Sequence, residues 1–553
     1  MFWRKKSPTD ELVFYEEDAT ATVTVTKRKT IEGETLFLRI NGADVAGTDL
    51  MIQTTQKTQA HLPLLIYESL NAHAAARVLQ IGFGSGGTSW SATLHNPVEM
   101  TCVELVPGII HAAKKYFSEV NHNVFCRPLY KTVLEDGRNY LIRNTGTYDA
   151  ILTESIHPIY AGNATLYSSD YFKLCRKRLS ENGLVAVWLP MWKMSVEDFK
   201  TVLKTFQSVF PHSTIWYVTN CLNKQVHLIG TIKETRIETG SFMKNFEAVK
   251  SDLRSVNLDD PLKLMDSFLM SEDDVREYSS NARINSENMP CLEFSAPFSY
   301  DLDAQTWKDN LNCLLKYKRN AYGFFRDSTK NTVLEKNLKN YSDSSIHIIK
   351  GIVKHLDSDF KGSYYDFKKA ALVNPEDKTT AYLIDTGGKI AVNQLISMGN
   401  NYTDEKLFEK AISCYKEALA IKPDDIYALN ALGTVHFYNS SFPEAESIFL
   451  HIILKNPNHP EAYNGLGLLY MKTNLYSKAI DNFKKSVTLN PSDFIPHYSL
   501  SILYAETGCR EEAVKELNEA MLINPESPQS YSFLAGIFKK NGMKEDAEKI
   551  HKK

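Results

Sequence analysis

Three acids and one run of glycines supply the residue types from which a nucleoside-handling site can be built. The apolar run Val78-Leu79-Gln80-Ile81 stops at Gly82-Phe83-Gly84-Ser85-Gly86-Gly87 and passes into Thr88–Leu94, a stretch compatible with a helix. A strand, a glycine turn and a helix start make a cradle. Gly82, Gly84 and Gly86 or Gly87 allow backbone angles and a close approach that a Cβ forbids, and the helix presents N–H groups without partners of their own. The spacing Gly82, Gly84, Gly87 satisfies the dinucleotide fingerprint, and Gly82, Gly84, Gly86 fits the turn of class I methyltransferase-like folds equally well. The glycines alone leave both open. Glu104, 22 residues after Gly82, ends the next apolar stretch, where it can accept from both ribose hydroxyls or stand as a solvated strand-end acid. Asp136-Gly137 can accept from an adenine amino group, or form a turn that caps a helix over Arg138–Ile142. Glu154, in Thr153-Glu154-Ser155-Ile156-His157, faces the reactive end of such a ligand or is a surface acid at a loop start. A carboxylate there holds a cationic amine and removes its proton as the nitrogen attacks carbon. His157 is a loop histidine, beside the ligand or simply hydrogen-bonded.

These residues need a sheet to bring them together. From Val78 onward apolar strands alternate with helical stretches, which predicts a parallel sheet wrapped by helices, an α/β Rossmann-like fold of the class I methyltransferase type. Strands are expected at 78–81, 100–104, 124–127, 148–153 and 184–190, with late strands at 214–217 and 226–230 and Cys291–Phe294 closing the domain. Ligands belong in the loops at the carboxyl ends of such strands. Ser195 and Asp198 resemble a capping box that opens a helix whose Phe199, Val202, Leu203, Phe206, Val209 and Phe210 make a core face. Ahead of the sheet, residues 12–42 alternate with the two-residue period of strands, with a turn at Glu32-Gly33-Glu34 and a turn signal at Asn41-Gly42. That predicts a small β-hairpin module over 1–57, with Thr48–Leu70 as a lead-in helix carrying Gln53, Gln56, His61 and Pro63.

The last third of the chain repeats. Prolines fall at 423, 457, 491 and 525, alanines at 411, 445, 479, 513 and 547, and small residues at 433, 467, 501 and 535, all 34 apart. This is the tetratricopeptide (TPR) period, and it predicts an all-α solenoid over 341–553. Asn374-Pro375 marks a degenerate earlier repeat, set off from Pro423 by about 14 residues of inserted loop near Gly399-Asn400-Asn401. Such arrays offer a concave surface to a protein or peptide, or serve a structural role. Residues 301–340, rich in Lys, Asn and aromatics, are expected to form a helical linker.

Charge narrows the classes. Lys and Arg number 63 against 66 Asp and Glu, mixed along the chain, and the net charge of −3 gives no basic patch for nucleic acid. The eight cysteines stand far apart without metal-ligand spacing, so no metal is expected and the thiols are read as reduced, in a soluble cytoplasmic protein. Met1–Lys6 lacks the apolar core of a signal peptide, and no stretch approaches the ~18 apolar residues that span a bilayer.

Together these motifs resemble a known family. Residues 12–297 are similar to the spermidine synthases (polyamine aminopropyltransferases), most of all to the bacterial branch in which that domain is often fused to membrane-spanning segments. The resemblance rests on His61-Leu62-Pro63-Leu64-Leu65, Gly82–Gly87, Val103-Glu104-Leu105, Glu135–Leu141, the Glu154 loop with Ala161-Gly162 and Leu166-Tyr167, Trp188-Leu189-Pro190, and Leu292–Pro297. It implies a synthase-like Rossmann domain over 58–300, often dimeric, that transfers an aminopropyl group from decarboxylated S-adenosylmethionine to an amine and releases methylthioadenosine. It further implies Glu154 as the base and Gly82, Gly84, Ser85, Gly86, Gly87, Glu104, Asp136, Gly137 and Gln56 around the nucleoside donor. Gln53, His157 and Tyr167 would lie at the amine substrate. The chain departs from the family pattern where an aspartate that holds the donor's ammonium becomes Ser85, where the fourth-loop aspartate pair becomes Glu154 and His157, and where a channel tyrosine becomes Thr55. A methyltransferase using S-adenosylmethionine, and a catalytically silent nucleoside-binding domain serving a repeat scaffold, are the alternatives.

Overall fold

Alternating Val and Thr along 22–26 puts Val23 and Val25 into the core and leaves Thr22 and Thr24 nearer the surface. In the computed structural model, which describes residues 10–30, 33–71, 75–154, 157–160, 162–234, 236–326, 331–525 and 528–551, this stretch is the second of four antiparallel strands. They are β1 (Glu11–Glu17), β2 (Thr22–Thr30), β3 (Gly33–Ile40) and β4 (Ala43–Gly47), paired in chain order. The expected hairpin is thus extended on both sides. β4 escaped notice because it is five residues long and carries Asp44. Positive φ at Asn41 (50°) and Gly42 (82°) makes the tight turn that joins it to β3. Met1–Lys6, Glu32, Ser155-Ile156 and Ala161, each part of a sequence expectation, lie outside the described residues.

The chain divides into two units, Met1–Thr386 and Gly387–Lys553. In the first, helix α1 (Leu50–Leu70) follows the small sheet, its start capped by Asp49, which accepts from the Ile52 N–H at 3.0 Å. Eight further strands form one sheet in the order β13-β10-β11-β9-β8-β5-β6-β7. They are β5 (Arg77–Ile81), β6 (Glu99–Glu104), β7 (Tyr130–Leu134), β8 (Tyr148–Thr153), β9 (Leu179–Pro190), β10 (His212–Trp216), β11 (Gln225–Thr231) and β13 (Phe268–Met270). A two-residue strand β12 (Ile237–Glu238) pairs with β14 (Phe325–Arg326) apart from it. Strands β5 to β9 run parallel, and β11, β10 and β13 are antiparallel additions. Helix α2 (Gly87–Thr93) leaves β5 and α3 (Pro107–Tyr116) leaves β6.

Two expectations need correction. The third strand is not 124–127: Val124–Cys126 is a single 3₁₀ turn, entered by Asn123 at φ 52° and closed by the Arg127 N–H donating to the Val124 carbonyl at 3.0 Å. Val124 is buried by that turn, and the alternating Tyr-Lys-Thr-Val-Leu that follows supplies the strand. The stretch expected to close the domain, Cys291–Phe294, takes the form of a short helix, Cys291–Ser295. The described part of 301–340 is helical over Asp303–Leu315 and from Thr332 on, with β14 between, and it packs as core: Trp307, Leu311 and Leu314 of the helix Asp303–Leu315 share a buried cluster with Phe199 and Val202. Asn310 Nδ2 donates to the Met191 and Met194 carbonyls at 2.9 and 2.8 Å. A lysine helped disguise this region, because Lys318 is buried against Asp266 at 2.8 Å instead of solvated; nearby, Lys263 is buried in the same way on Asp377 at 2.7 Å. Removing one partner of such a pair costs about 3–5 kcal/mol, since the other charge is stranded.

The second unit is a run of paired helices from Phe408–Ile421 to Lys544–His551. Its 34-residue period has a packing cause. A Cβ on Gly433 would lie 2.8 Å from the Phe449 ring and one on Gly467 would lie 2.6 Å from the Phe483 ring, so the small position admits the next helix's phenylalanine. The extra residues before Pro423 are not a loop. They lengthen one helix, Thr379–Asp404, to 26 residues where Ile426–Tyr438 has 13. Among the described residues, no helix is long and apolar enough to cross a membrane.

Candidate functional site

The sheet order sets the order of the site. Along the carboxyl edge come Asp136 after β7, Glu104 at the end of β6, the glycine loop after β5, Glu154 after β8, and Trp192-Lys193 after β9. Because β11 is antiparallel and Gln225 pairs with Pro190, the start of β11 brings Lys224 and Gln225 to the same edge. A cavity of about 970 Å³ runs along all of these, and Asn41–Val45 and the first turns of α1 line it as well.

The glycine loop is shaped by what presses on it. Gly82 (φ 88°) could carry no Cβ, which would lie 2.6 Å from the Glu154 carbonyl oxygen. Gly84 (φ 58°) faces the cavity between Gln56 and Ala46. Gly86 and Gly87 are buried behind it, Gly86 at the start of α2 and Gly87 against Gln56. Ser85 also turns away from the cavity. It is fully buried and its hydroxyl donates to Gln56 Oε1 at 2.8 Å, so it offers a donor nothing directly.

Glu104 is buried, and its two oxygens accept from the Phe83 N–H at 2.8 Å and the Val106 N–H at 2.9 Å. Burial pushes its carboxyl above the usual range against those bonds. Each oxygen keeps a second lone pair, so the carboxylate can also accept from a ribose. Asp136 is a helix cap and a cavity residue at once: Oδ1 accepts from the Asn139 N–H at 2.8 Å, opening the helix Gly137–Arg143. Gly137 lines the cavity beside it, where a Cβ would press on Ile81 at 2.5 Å.

Glu154 opens onto the cavity yet is surrounded by protein. One oxygen accepts from the Thr88 hydroxyl, and the other from Gln80 Nε2 at 3.3 Å. Burial dominates these bonds and raises its carboxyl to about 8. Such a group is poised to take a proton near neutral pH. Gln80 is a residue that sequence reasoning missed. Its signal was a glutamine inside an apolar strand, and it is held in turn by the Ser89 hydroxyl, which donates to Gln80 Oε1 at 2.8 Å.

The expected amine-site residues behave differently from one another. His157 lines the cavity, but the Ile159 N–H donates to its Nδ1 at 3.1 Å and its Nε2 donates to the Trp192 carbonyl at 2.7 Å. Burial lowers it to about 4, so it is a neutral loop brace. Gln53 donates to the Gly47 carbonyl at 2.7 Å and to Gln56 at 3.5 Å, tying α1 to β4 and lying off the cavity. Tyr167 is a core residue whose hydroxyl donates to the Trp188 carbonyl at 3.4 Å, and it too lies off the cavity. Thr55 lines the cavity and accepts from Gln225 Nε2.

In their place the cavity holds Trp188, Trp192, Lys193, Lys224, Tyr300 and Asp303. The Lys193 ammonium lies 4.2 Å from the Tyr300 ring centre, and that of Lys224 lies 3.9 Å from Asp303. Trp188-Leu-Pro-Met-Trp192-Lys193 was the visible hint, an aromatic-rich strand end. Among the described residues, no group of three or more His, Cys, Asp or Glu could hold a metal ion.

Comparison with known proteins agrees with this architecture. The family model described as the spermine/spermidine synthase domain matches residues 53–236, and models of the tetratricopeptide repeat match 460–493 and 399–439. The chain therefore carries a spermidine synthase domain and TPR repeats. A polyamine aminopropyltransferase of Sodalis glossinidius is 32% identical over 149 residues, which is 25% of this chain and 50% of that protein. Polyamine aminopropyltransferase 1 of Pseudomonas aeruginosa is 28% identical over 169 residues, 30% of this chain and 59% of that protein. The chain thus spans about half the length of the curated relatives it matches. Among solved structures, a spermidine synthase in complex with the transition-state analogue AdoDATO is similar at a TM-score of 0.38 and 18% identity, over 49% of this chain and 87% of that one. The spermidine synthase of Thermotoga maritima gives the same values.

Proposed function

We propose that the chain is an aminopropyltransferase, which moves the aminopropyl group of decarboxylated S-adenosylmethionine to an amine. The observation that carries this reading is Glu154: a carboxylate raised to about 8, fixed by Thr88 and Gln80, and open to a cavity whose other acids suit a nucleoside. Glu104 would accept from the ribose hydroxyls, Asp136 from the adenine amino group, and Gly82 and Gly84 would let the donor lie against backbone. The amine nitrogen forms a bond to the carbon next to the sulfonium, the C–S bond breaks onto sulfur, and methylthioadenosine leaves. Glu154 takes the proton that the nitrogen loses. The repeats would serve as a docking surface for a protein or peptide.

One observation favours a second donor. The glycine loop carries the neutral Ser85, turned toward Gln56, so no charge in that loop repels a donor carboxylate. Intact S-adenosylmethionine with methyl transfer is the alternative. Incubating the full chain with each donor and a panel of amines separates the two. Release of methylthioadenosine supports the first, release of adenosylhomocysteine supports the second, and neither product with any amine contradicts both.

A further inference from the structure

Where the incoming amine must sit, the cavity changes sign. From β7 to β8 its edge carries Asp136, Glu104 and Glu154; one and two strands further, at β9 and β11, it carries Lys193 and Lys224. Their ammonium groups lie 5.6 and 5.8 Å from the same Trp192 ring, so two cations flank one indole. Lys193 also sits over Tyr300, and Lys224 lies 5.5 Å from the Trp307 ring. The one acid in this wall, Asp303, has a side chain 44% exposed at 3.9 Å from Lys224. Acids on the opposite lining are engaged: Asp44 accepts from Arg39 Nε at 2.5 Å, and Asp49 caps α1. Tyr300 and Asp303 lie outside the stretch 53–236 that matches the synthase family, so this end is built partly by residues the family match does not include.

Adjacent strands are about 4.8 Å apart, so a molecule with its nitrogen at Glu154 reaches the two lysines with a group about 5–10 Å away. A second ammonium there meets like charge; a carboxylate or phosphate meets two cations. Resting on the aminopropyl-transfer reading, we propose that the acceptor is an amine with an anionic far end, an aminocarboxylate type of molecule and not an α,ω-diamine. Lys193 and Lys224 are its specificity residues. The transfer itself is unaltered: the N–C bond forms, the C–S pair goes to sulfur, the N–H proton goes to Glu154, and the anionic group takes no part.

The test compares 4-aminobutanoate with 1,4-diaminobutane, molecules of equal length whose far ends differ in charge. Titration calorimetry on the full chain saturated with methylthioadenosine should give at least tenfold tighter binding of the aminocarboxylate. K224Q and K193Q should each erase most of that preference, and K224R should retain it. Tighter binding of the diamine, or a preference untouched by either substitution, overturns the proposal. Should K193Q lower the melting temperature, K224Q, at a side chain 32% exposed, carries the test alone. The same variants are titrated with S-adenosylmethionine and its decarboxylated form. Tenfold weaker binding of the carboxylated donor only, with acceptor affinity unchanged, would assign the anion to the donor and overturn the proposal. Methylthioadenosine release is followed in parallel. Faster release with the diamine overturns the proposal and leaves aminopropyl transfer standing. A retained binding preference without release from any amine supports the anion pocket and overturns the transfer reading.

Discussion

The two ends of the cavity are built from different materials. At the end proposed for the nucleoside the contacts are backbone and acids braced by backbone: Gly82 against the Glu154 carbonyl, Glu104 on two N–H groups, Asp136 on one. At the end proposed for the acceptor they are long side chains from three separate segments, Trp192-Lys193, Lys224 and Tyr300–Asp303, with ring faces and a loose ion pair among their contacts. A scaffold of backbone fixes one ligand and tolerates little change, whereas side chains on separate loops can be exchanged one at a time. On the proposed reading, the first end would bind the nucleoside donor and the second would set which acceptor is taken.

That contrast can be broken at the junction of the two ends. Glu154→Gln should lower turnover by about 10²–10⁴, with donor affinity nearly unchanged in calorimetry. A loss of donor affinity of the same size would make Glu154 part of the nucleoside end instead. Glu104→Gln should weaken donor binding about 10- to 100-fold, the worth of a charge-assisted bond of ~1.5–3 kcal/mol, while leaving acceptor affinity alone. Measuring both affinities decides whether the two ends are separable.

A pH profile sharpens the comparison further. Only the ionised carboxylate can take a proton, and burial holds Glu154 at about 8 in the folded chain. The competent fraction grows as pH rises, so kcat/KM should climb about tenfold per unit below 8 and level off above it. Stability moves the opposite way. Between the ordinary carboxylate value of 4.5 and 8 the folded chain keeps a proton that the unfolded chain releases, so stability falls as pH rises through that window. Glu154→Gln should flatten the rate profile and remove that contribution to the melting-temperature slope. The smallest effect is expected from Gln80→Leu. Losing a hydrogen bond as long as 3.3 Å should lower kcat about three- to tenfold, with the rising limb displaced to higher pH and KM unchanged. A change in KM alone would place Gln80 in binding.

Legibility followed the same division. Period and glycine spacing disclosed most of the parallel strands, α1 and the repeats, because those depend on local pattern: Val78–Ile81 is apolar but for Gln80, and Gly433 and Gly467 recur where Phe449 and Phe483 must fit. The third strand was misread because Val-Phe-Cys is apolar enough for either a strand or a buried turn, and the ladder with β6 is what chooses. Ser85 and Tyr167 were expected at the ligand from their place in motifs, but side-chain direction put one on Gln56 and the other in the core. Lys193, Lys224 and Asp303 meet only through an antiparallel strand and a helix more than a hundred residues downstream. No local pattern carries that information, and the same holds for the buried Lys263–Asp377 pair that ties 301–386 to the sheet.

The central claim is that one nucleoside lies between Glu104 and Asp136 with its sulfur end at Glu154. A crystal structure of the full chain with methylthioadenosine tests it most directly. The account predicts the ribose hydroxyls within hydrogen-bond distance of Glu104, the adenine amino group at Asp136, and the thioether sulfur directed toward the Glu154 carboxylate. Methylthioadenosine bound elsewhere, or with its sulfur directed away from Glu154, would contradict it.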